Sequence, residues 1–399
     1  MKPEKICVLG LGYIGLPTSS ILAARGYSVL GVDVRADVVK TINEGRIHIS
    51  EPDLHLFVKA AVSAGNLRAA TQPEPADVFI IAVPTPFKEG HKPDMSFVEA
   101  ATKAIVPVLQ EGNLVILEST SPARTCTHLI TPILETSGLK SGEQFFVAHC
   151  PERVLPGQIM KEVVENDRVI GGINRASALK AQELYSSFVK GQIFLTDATT
   201  AEMVKLVENS YRDVNIAFAN ELSLICDDLG LNVWDLITLA NRHPRVSILR
   251  PGPGVGGHCI AVDPWFIVDT CPKHARLIRT AREVNDSKPH WVVQKVKDAA
   301  ERFKHPVIGV LGLAYKQDID DLRESPAVEI ARLLQKEKVG DLLVCEPNVK
   351  SHSDFSLKPV DEVVHRADII VLLVPHRSFK DIDRELLKPK VIIDTCGIW

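Results

Sequence analysis

The sequence lacks the marks of several protein classes. Its eight cysteines, at positions 7, 126, 150, 226, 259, 271, 345 and 396, include no Cys-x-x-Cys pair, and no His/Cys run has zinc-ligand spacing. That excludes a zinc ribbon or a dithiol redox motif and leaves scattered thiols suited to a reducing compartment. No long block of one charge occurs and the net charge is −4, which argues against a nucleic-acid-binding chain. No apolar run reaches the roughly 18 residues that span a membrane. The charged-then-apolar start, MKPEKICVLGLGYIGLP, superficially resembles an export signal, but its glycines and its strand–turn–helix continuation do not suit one. We therefore expect a cytoplasmic protein with no nucleic-acid partner, no membrane anchorage and no metal.

What is present is the balance of a globular protein, with 45% hydrophobic and 24% charged residues. At 399 residues the chain exceeds one ordinary core, so two or three domains are expected. The first half alternates short β-rich runs (Ile6–Leu9, Val29–Asp33, Val78–Val83, Leu114–Glu118, Phe145–Ala148) with helical stretches such as Phe97–Leu109. Such alternation predicts a doubly wound α/β domain with strands buried on both faces. From about 198 to 300 the period changes. Met203, Val207, Tyr211, Val214, Phe218, Leu222 and Ile225 recur at three- or four-residue steps, which predicts one long helix ending near Gly230. Further helices are expected at Val233–Ala240 and Ala275–Ala300, separated by the Pro/Gly-rich loop from Arg250 to Cys259. From Pro306 the α/β pattern returns: Val307–Leu313 echoes Ile6–Gly12, and Ala367–Pro375 echoes Ala76–Pro84. The expected fold is α/β, with two Rossmann-like doubly wound domains (1–197 and 301–399) joined by a helical middle domain (198–300) carrying a long central helix.

Gly10-Leu-Gly-Tyr-Ile-Gly15 follows a strand and opens a helix, and Asp33 ends the next strand 18 residues after Gly15. In that context Gly10 permits a tight turn, Gly12 lets the backbone approach a pyrophosphate, and Gly15 lets helix pack on sheet. The helix N-terminus offers unpaired N–H groups to phosphate. A carboxylate at Asp33 would accept from a ribose 2′-hydroxyl and repel a 2′-phosphate, favouring NAD over NADP, although Arg35 nearby is a cation that could tolerate phosphate. Val83-Pro-Thr-Pro86 and Glu118-Ser-Thr-Ser-Pro122 follow other strands, so both loops face the same crevice by topology. Thr85 and Thr120 either contact ribose, phosphate or a water, or are plain turn residues. Cys259 is either an exposed nucleophile in a glycine-rich loop or a packed, inert thiol. Asp263, four residues on, could act as a base. Lys205 and Asn209 share a helix face roughly opposite the Met203/Val207/Tyr211 stripe. That face is either a solvated flank or a cation and an amide aimed at a developing oxyanion.

Taken together these segments resemble the UDP-sugar 6-dehydrogenase family, whose members act on UDP-glucose, UDP-N-acetylglucosamine and UDP-N-acetyl-D-mannosamine. The resemblance covers essentially the whole chain. It rests on GLGYIGLP, VPTP, ESTSP, Cys150-Pro-Glu-Arg153, Lys205-Leu-Val-Glu-Asn209, His243-Pro-Arg-Val246, PGPGVGGHCIAVDP and the run from Gly312 to Ser325. The HPRV and PGPGVGGHCIAVDPW segments are most similar to the branch acting on UDP-N-acetyl-D-mannosamine. By residue, the resemblance implies that Cys259 is the catalytic thiol, Lys205 and Asn209 the oxyanion-stabilising pair, and Asp263 an assisting carboxylate. It further implies that Glu152 positions substrate and serves thioester hydrolysis, that Thr120 meets cofactor and a catalytic water, and that Lys316 meets the UDP part. Arg323 is placed near the cofactor. Tyr13 and Ile14 join Gly10, Gly12, Gly15, Asp33, Arg35 and Thr85 in the cofactor set, and Arg153 and His258 join the substrate set. Arg242 or Arg245 is expected to reach the substrate of a neighbouring subunit, in a homodimer joined through the central helix. The C-terminus departs from the pattern, with Cys396 where a basic residue is expected.

The implied reaction is an NAD-dependent, four-electron oxidation of the C6 alcohol of UDP-N-acetyl-D-mannosamine to the uronate. It runs through a thiohemiacetal and a thioester on Cys259. UDP-N-acetylglucosamine and UDP-glucose are alternative substrates. Two other readings differ in kind: a catalytically silent nucleotide sensor with two Rossmann domains, and a one-step hydroxyacid dehydrogenase. The latter needs neither a thiol nor a second such domain.

Overall fold

A computed structural model describes residues 4–155, 157–257 and 259–399. The chain divides into two compact units, Met1–Glu208 and Asn209–Trp399. The strands of the first unit are β1 (Lys5–Leu9), β2 (Ser28–Val32), β3 (Leu67–Ala70), β4 (Val78–Ile81), the two-residue hairpin partners β5 (Phe87–Lys88) and β6 (Lys92–Pro93), β7 (Leu114–Leu117), β8 (Phe146–His149), β9 (Arg168–Gly172) and β10 (Ile193–Asp197). Eight of them form one sheet in the order β10-β9-β8-β7-β4-β1-β2-β3. The apolar runs predict β1, β2, β4, β7 and β8. They do not reveal β3 and β9, whose Arg68, Ala69, Ala70, Gly171 and Gly172 carry weak β-propensity, nor β10, although its Ile193, Phe194 and Thr196 suit a strand. The pairing is parallel except that β9 runs antiparallel to β8.

Alternate residues of each strand enter opposite layers of the core. Ile6 and Val8 of β1 pack into one apolar cluster, while Cys7 and Leu9 pack into another on the far face. This double burial is why the strands read as unbroken apolar runs.

The second unit repeats the plan on a smaller scale. Strands β11 (Val307–Leu311), β12 (Asp341–Cys345), β13 (Ile369–Leu372) and β14 (Val391–Asp394) form a parallel sheet in the order β12-β11-β13-β14. Ile308 and Val310 of β11 enter one face of that core and Leu311 the other. Helices Val233–Ala240, Asp263–Thr270 and Arg276–Ala300 belong to the same unit.

One helix of 32 residues, Ala198–Leu229, contains the boundary between the units, and Gly230 ends it at a φ of 65°. Its apolar stripe does not face a core within the chain: Val207, Tyr211, Phe218 and Ile225 are all exposed. The buried positions include Glu202, Asn209, Asp213 and Asn220 beside Ala201, Leu206 and Ala217, so the opposite face, mixed polar and small apolar, is the one packed inside. Among the described residues no helix is long and apolar enough to cross a membrane.

Candidate functional site

In the first unit, loops follow the carboxyl ends of five adjacent parallel strands, β8-β7-β4-β1-β2. They carry, in that order, Glu152, Thr120, Thr85, the Gly10–Gly15 turn and Asp33. The chain runs β1 to β2 to β3 on one side and resumes at β4 on the other, so the strand order reverses beside the glycine turn, where open α/β sheets bind ligands. Gly10 has a φ of 92°, and a Cβ there would lie 2.6 Å from the Ala82 carbonyl oxygen. At Gly15 a Cβ would fall 1.8 Å from the Gly10 carbonyl oxygen, so only glycine lets the helix start there. At Gly12 a Cβ would meet nothing within 4 Å, and its bare backbone borders open space. Tyr13 is partly exposed and Ile14 precedes the helix Gly15–Ala24. Asp33 accepts from the Leu11 N–H at 3.2 Å and from the Arg35 N–H at 3.0 Å. It thereby braces the glycine turn and keeps further lone pairs for a hydroxyl donor. The Arg35 side chain is exposed. These residues suit the adenosine and pyrophosphate of a dinucleotide.

Thr85 and Thr120 are half-buried, and Ser119 ties their loops together by donating to the Val83 carbonyl at 2.7 Å. Behind them lies a polar network that sequence reasoning missed. Arg168 donates to Glu152 at 2.6 Å, both side chains being buried, and the Arg153 N–H donates to the other carboxylate oxygen at 2.8 Å. Tyr185 donates to Glu118 at 2.6 Å. Burial, then repulsion from Glu152, pushes the Glu118 carboxyl up to about 7. The Arg153 side chain pairs with Glu208 at 2.8 Å and lines a cavity of about 460 Å³ with Glu165, Asn166 and Asp167. Lys205 is half-buried on the long helix, one turn before Asn209.

In the second unit the structure brings Asn209, Cys259 and Asp263 together. The Asn209 amide donates to Asp263 at 2.5 Å, and both side chains are buried. The Asp263 N–H donates to the Cys259 carbonyl at 2.8 Å, so one tight turn separates the thiol from the carboxylate that starts the helix Asp263–Thr270. Cys259 is exposed. Burial pushes the thiols of Cys7, Cys150, Cys345 and Cys396 up to about 12 and raises that of Cys126. Only Cys259 and Cys271 are exposed, and Cys259 alone sits beside a buried carboxylate–amide pair. His258, expected to meet substrate, lies outside the described residues.

The glycines of this loop dock it onto the segment from Gly312 to Ser325. The Gly257 N–H donates to the Arg323 carbonyl at 3.2 Å, and a Cβ on Gly256 would lie 2.4 Å from the Glu324 carbonyl oxygen. The Arg323 guanidinium is occupied by Asp321 at 2.6 Å. The loop's other end is fixed by a buried chain of polar groups. The Gly252 N–H donates to Asn220, Asn220 to Asn285, and Asn285 to Asp213, which also accepts from Arg282 at 2.7 Å. The signal for this chain was legible: Glu202, Asn209, Asp213 and Asn220 fall at spacings of seven, four and seven on the face away from the apolar stripe.

Lys316 lines a cavity of about 280 Å³ with Arg250, Lys380, Tyr315 and Cys396. Three cations around one small cavity suit a diphosphate. Arg250 and Lys380 were missed: Arg250 only opens the PGPG run, and nothing in the Arg377–Lys380 sequence marks a site. Arg250 is held by the Gly397 carbonyl at 3.0 Å and stacks on Trp234. Cys396 contributes a neutral wall rather than a cation. Arg242 and Arg245 are exposed and line neither cavity. The second sheet's counterpart of Asp33 is Glu346, after β12. It accepts from the Leu313, Ala314 and Asn348 N–H groups and lies 3.1 Å from His376. Buried and fully engaged, Glu346 has nothing left to read a ribose.

Residues 4–189, 199–287 and 309–399 match, in order, the NAD binding, central and UDP binding domains of the UDP-glucose/GDP-mannose dehydrogenase family. A Ralstonia solanacearum protein named NDP-N-acetyl-D-galactosaminuronic acid dehydrogenase is 58% identical, covering 99% of this chain and 96% of its own. The UDP-N-acetyl-D-mannosamine dehydrogenase of Escherichia coli strain K12 is 54% identical, with 100% of both chains covered. Among solved structures, a UDP-D-ManNAc dehydrogenase from Pyrococcus horikoshii aligns with a TM-score of 0.91 at 43% identity, over 99% of this chain and 96% of its own.

Proposed function

Because this chain belongs to the UDP-glucose/GDP-mannose dehydrogenase family, and is thus an NAD-dependent dehydrogenase with a UDP-binding domain, we propose that it oxidises C6 of UDP-N-acetyl-D-mannosamine to the carboxylate. The observation that supports a four-electron reaction is the Asn209–Asp263–Cys259 arrangement, since a one-step alcohol oxidation needs no thiol. NAD supplies the hydride acceptor, twice per sugar. Gly10, Gly12, Gly15 and Asp33 would hold its pyrophosphate and ribose, with Tyr13, Ile14, Arg35, Thr85, Thr120 and Arg323 completing its surroundings.

The chain's own residues do the rest. Cys259 as thiolate adds to the C6 aldehyde, forming the S–C bond of a thiohemiacetal and leaving an oxyanion. Lys205 and Asn209 stabilise that oxyanion; one such donor is worth about 3 kcal/mol of barrier. Asp263 orients the Asn209 amide for this task. After the second oxidation the S–C bond is that of a thioester. Water, placed by Thr120 and Glu152, breaks it to release the uronate and return the thiol. Lys316, with Arg250 and Lys380, carries the diphosphate. Arg153 contacts the sugar, and Arg242 or Arg245 reaches it from a second copy.

That second copy docks on the central helix. Val207, Tyr211, Phe218 and Ile225 form one exposed apolar stripe at spacings of four, seven and seven, and such a stripe can pack on its own copy about a two-fold axis. Tyr211→Glu should convert a dimer to monomer by light scattering, and a wild-type monomer would overturn this pairing. The three-part division at about 198 and 301 and a cytoplasmic setting belong to the same proposal.

The name of the Ralstonia relative favours one second reading, an N-acetylhexosamine of galacto configuration. The test is a screen of UDP-N-acetylmannosamine, UDP-N-acetylgalactosamine, UDP-N-acetylglucosamine and UDP-glucose with NAD, counting NADH per sugar. The mannosamine substrate should lead and yield two NADH. A leading galactosamine substrate replaces the sugar but not the chemistry, and one NADH per sugar overturns the mechanism.

A further inference from the structure

Three buried side chains of the first unit, far apart in sequence, converge at one point. Cys126 lies at the start of the turn Cys126–Ile130, His149 ends β8, and Glu202 stands in the first turns of the long helix. One ligand-type atom from each lies within 4.8 Å of the others. All three residues are at most 1% exposed. Neither ring nitrogen of His149 makes a well-formed hydrogen bond among the described residues, the Leu117 carbonyl being its one nearby backbone acceptor. A wholly buried imidazole with at most one weak partner is costly.

We propose that Cys126, His149 and Glu202 form a site for one zinc-class divalent cation in the first unit. The donor set is one sulfur, one imidazole nitrogen and one carboxylate oxygen, three of the four ligands of a tetrahedral zinc, with a water as the fourth. In such a site neighbouring ligand atoms stand roughly 3.3–3.8 Å apart, so closure needs a movement of about 1 Å. The charges balance. The dication displaces the Cys126 thiol proton to solvent, giving a thiolate. Thiolate plus carboxylate then cancel the two positive charges, and the imidazole ligates neutral. Burial already keeps His149 neutral, drawing its ionisation down to about 3. The second shell is in place. The Cys126 N–H donates to one Glu202 oxygen at 2.7 Å and the Arg124 N–H to the other, with the Thr125 N–H and the Cys126 thiol also directed at this carboxylate, so the cation takes the place of the thiol proton.

The cation would pin two elements that carry proposed functional residues. His149 precedes Glu152 by three positions on one strand end, and Glu202 precedes Lys205 by three on the helix. Cation binding there is independent of the sugar and of the mechanism, and it is read as metal content.

The test uses full-length protein carrying Cys259→Ala and Cys271→Ala, which removes both exposed thiols as competing ligands. After dialysis against micromolar zinc and then chelator-free buffer, elemental analysis should find about one zinc per chain. Added zinc should raise the melting temperature by several degrees relative to chelator-treated protein. Cys126→Ser in the same background should lose both effects. Cobalt loading decides the matter even if that variant fails to fold, because with Cys259 and Cys271 both absent a thiolate-to-cobalt charge-transfer band is expected from Cys126. No retained metal and no such band overturn the site, as does zinc retention that Cys126→Ser leaves unchanged.

Discussion

The side-chain amide of Asn209 donates to the carboxylate of Asp263 across 2.5 Å, in a place where neither is exposed to water. The bond fixes which end of the amide is nitrogen. It leaves the second N–H of Asn209 as the only amide donor that can face a substrate oxyanion. Asp263→Asn replaces an obligate acceptor by a group that can also donate, so the Asn209 amide loses its fixed orientation. The expected result is a fall in kcat of about a hundredfold with little change in KM for the UDP-sugar. Equal effects on kcat and KM would assign Asp263 to substrate binding instead.

Cofactor choice follows from Asp33, whose two oxygens are tied to the Leu11 and Arg35 N–H groups and so cannot swing away from an incoming 2′-substituent. Wild-type protein should use NAD in strong preference to NADP. Asp33→Asn should cost about tenfold in kcat/KM with NAD and narrow the gap, with Arg35 then free to accept a phosphate. Equal wild-type efficiency with both cofactors would mean that the arginine already overrides the carboxylate.

Lys316→Ala should raise KM for the UDP-sugar about tenfold or more while leaving KM for NAD unchanged, because Lys316 lines the tri-cationic cavity of the second unit. A change in the NAD constant alone would reverse the roles assigned to the two sheets. Glu346 argues against that reversal, since all its acceptor capacity is spent inside the protein.

Much of this was legible because local rules and fold agree. Gly10, Gly12 and Gly15 announce their turn, and β1, β4, β7, β11 and β13 announce double burial by unbroken apolar runs. What was not legible depends on tertiary neighbours. Arg168 reads as an ordinary surface cation until Glu152, sixteen residues earlier, is found 2.6 Å away. Strand β9 carries two glycines because Gly171 and Gly172 are overlaid by the backbone at Asp197 and Asn174, which no propensity records. The central helix shows the same dependence on tertiary neighbours. Its apolar stripe suggests the face that packs, yet within one chain the polar face of Asn209, Asp213 and Asn220 is buried and the apolar one is exposed.

Glu118 gives a pH prediction with a fixed sign. Its ionisation is raised by burial from an ordinary 4.5 to about 7. Between those values the folded chain keeps a proton that the unfolded chain has released, so this group's contribution is full below about 4.5 and is lost as pH rises to about 7. Glutamine cannot titrate, and it can still accept from Tyr185 as the protonated acid does. Melting temperatures of wild type and Glu118→Gln, compared at about pH 5 and about pH 8, should therefore move in favour of the variant at the higher pH. The limit is about 3 kcal/mol. A difference that does not vary with pH would mean that Glu118 ionises normally.

The decisive residue is Cys259. Wild-type protein should release two NADH per sugar and yield a carboxylate with little free aldehyde. Cys259→Ala removes the group that holds the aldehyde as a tetrahedral adduct, while Lys205, Asn209 and Asp263 remain to assist the first oxidation. That first step is reversible, so net turnover should fall by about a thousandfold or more, and supplied aldehyde should be reduced by NADH rather than oxidised. Cys259→Ser is more telling. A hydroxyl is far less ionised than a thiol near neutral pH, so addition slows, and an ester hydrolyses more slowly than a thioester, so an adduct should accumulate. Intact-protein mass spectrometry after incubation with substrate and NAD would register the added mass. Near-normal two-NADH turnover by Cys259→Ala would sink the covalent mechanism and leave Cys259 as a surface thiol beside the Asn209–Asp263 pair.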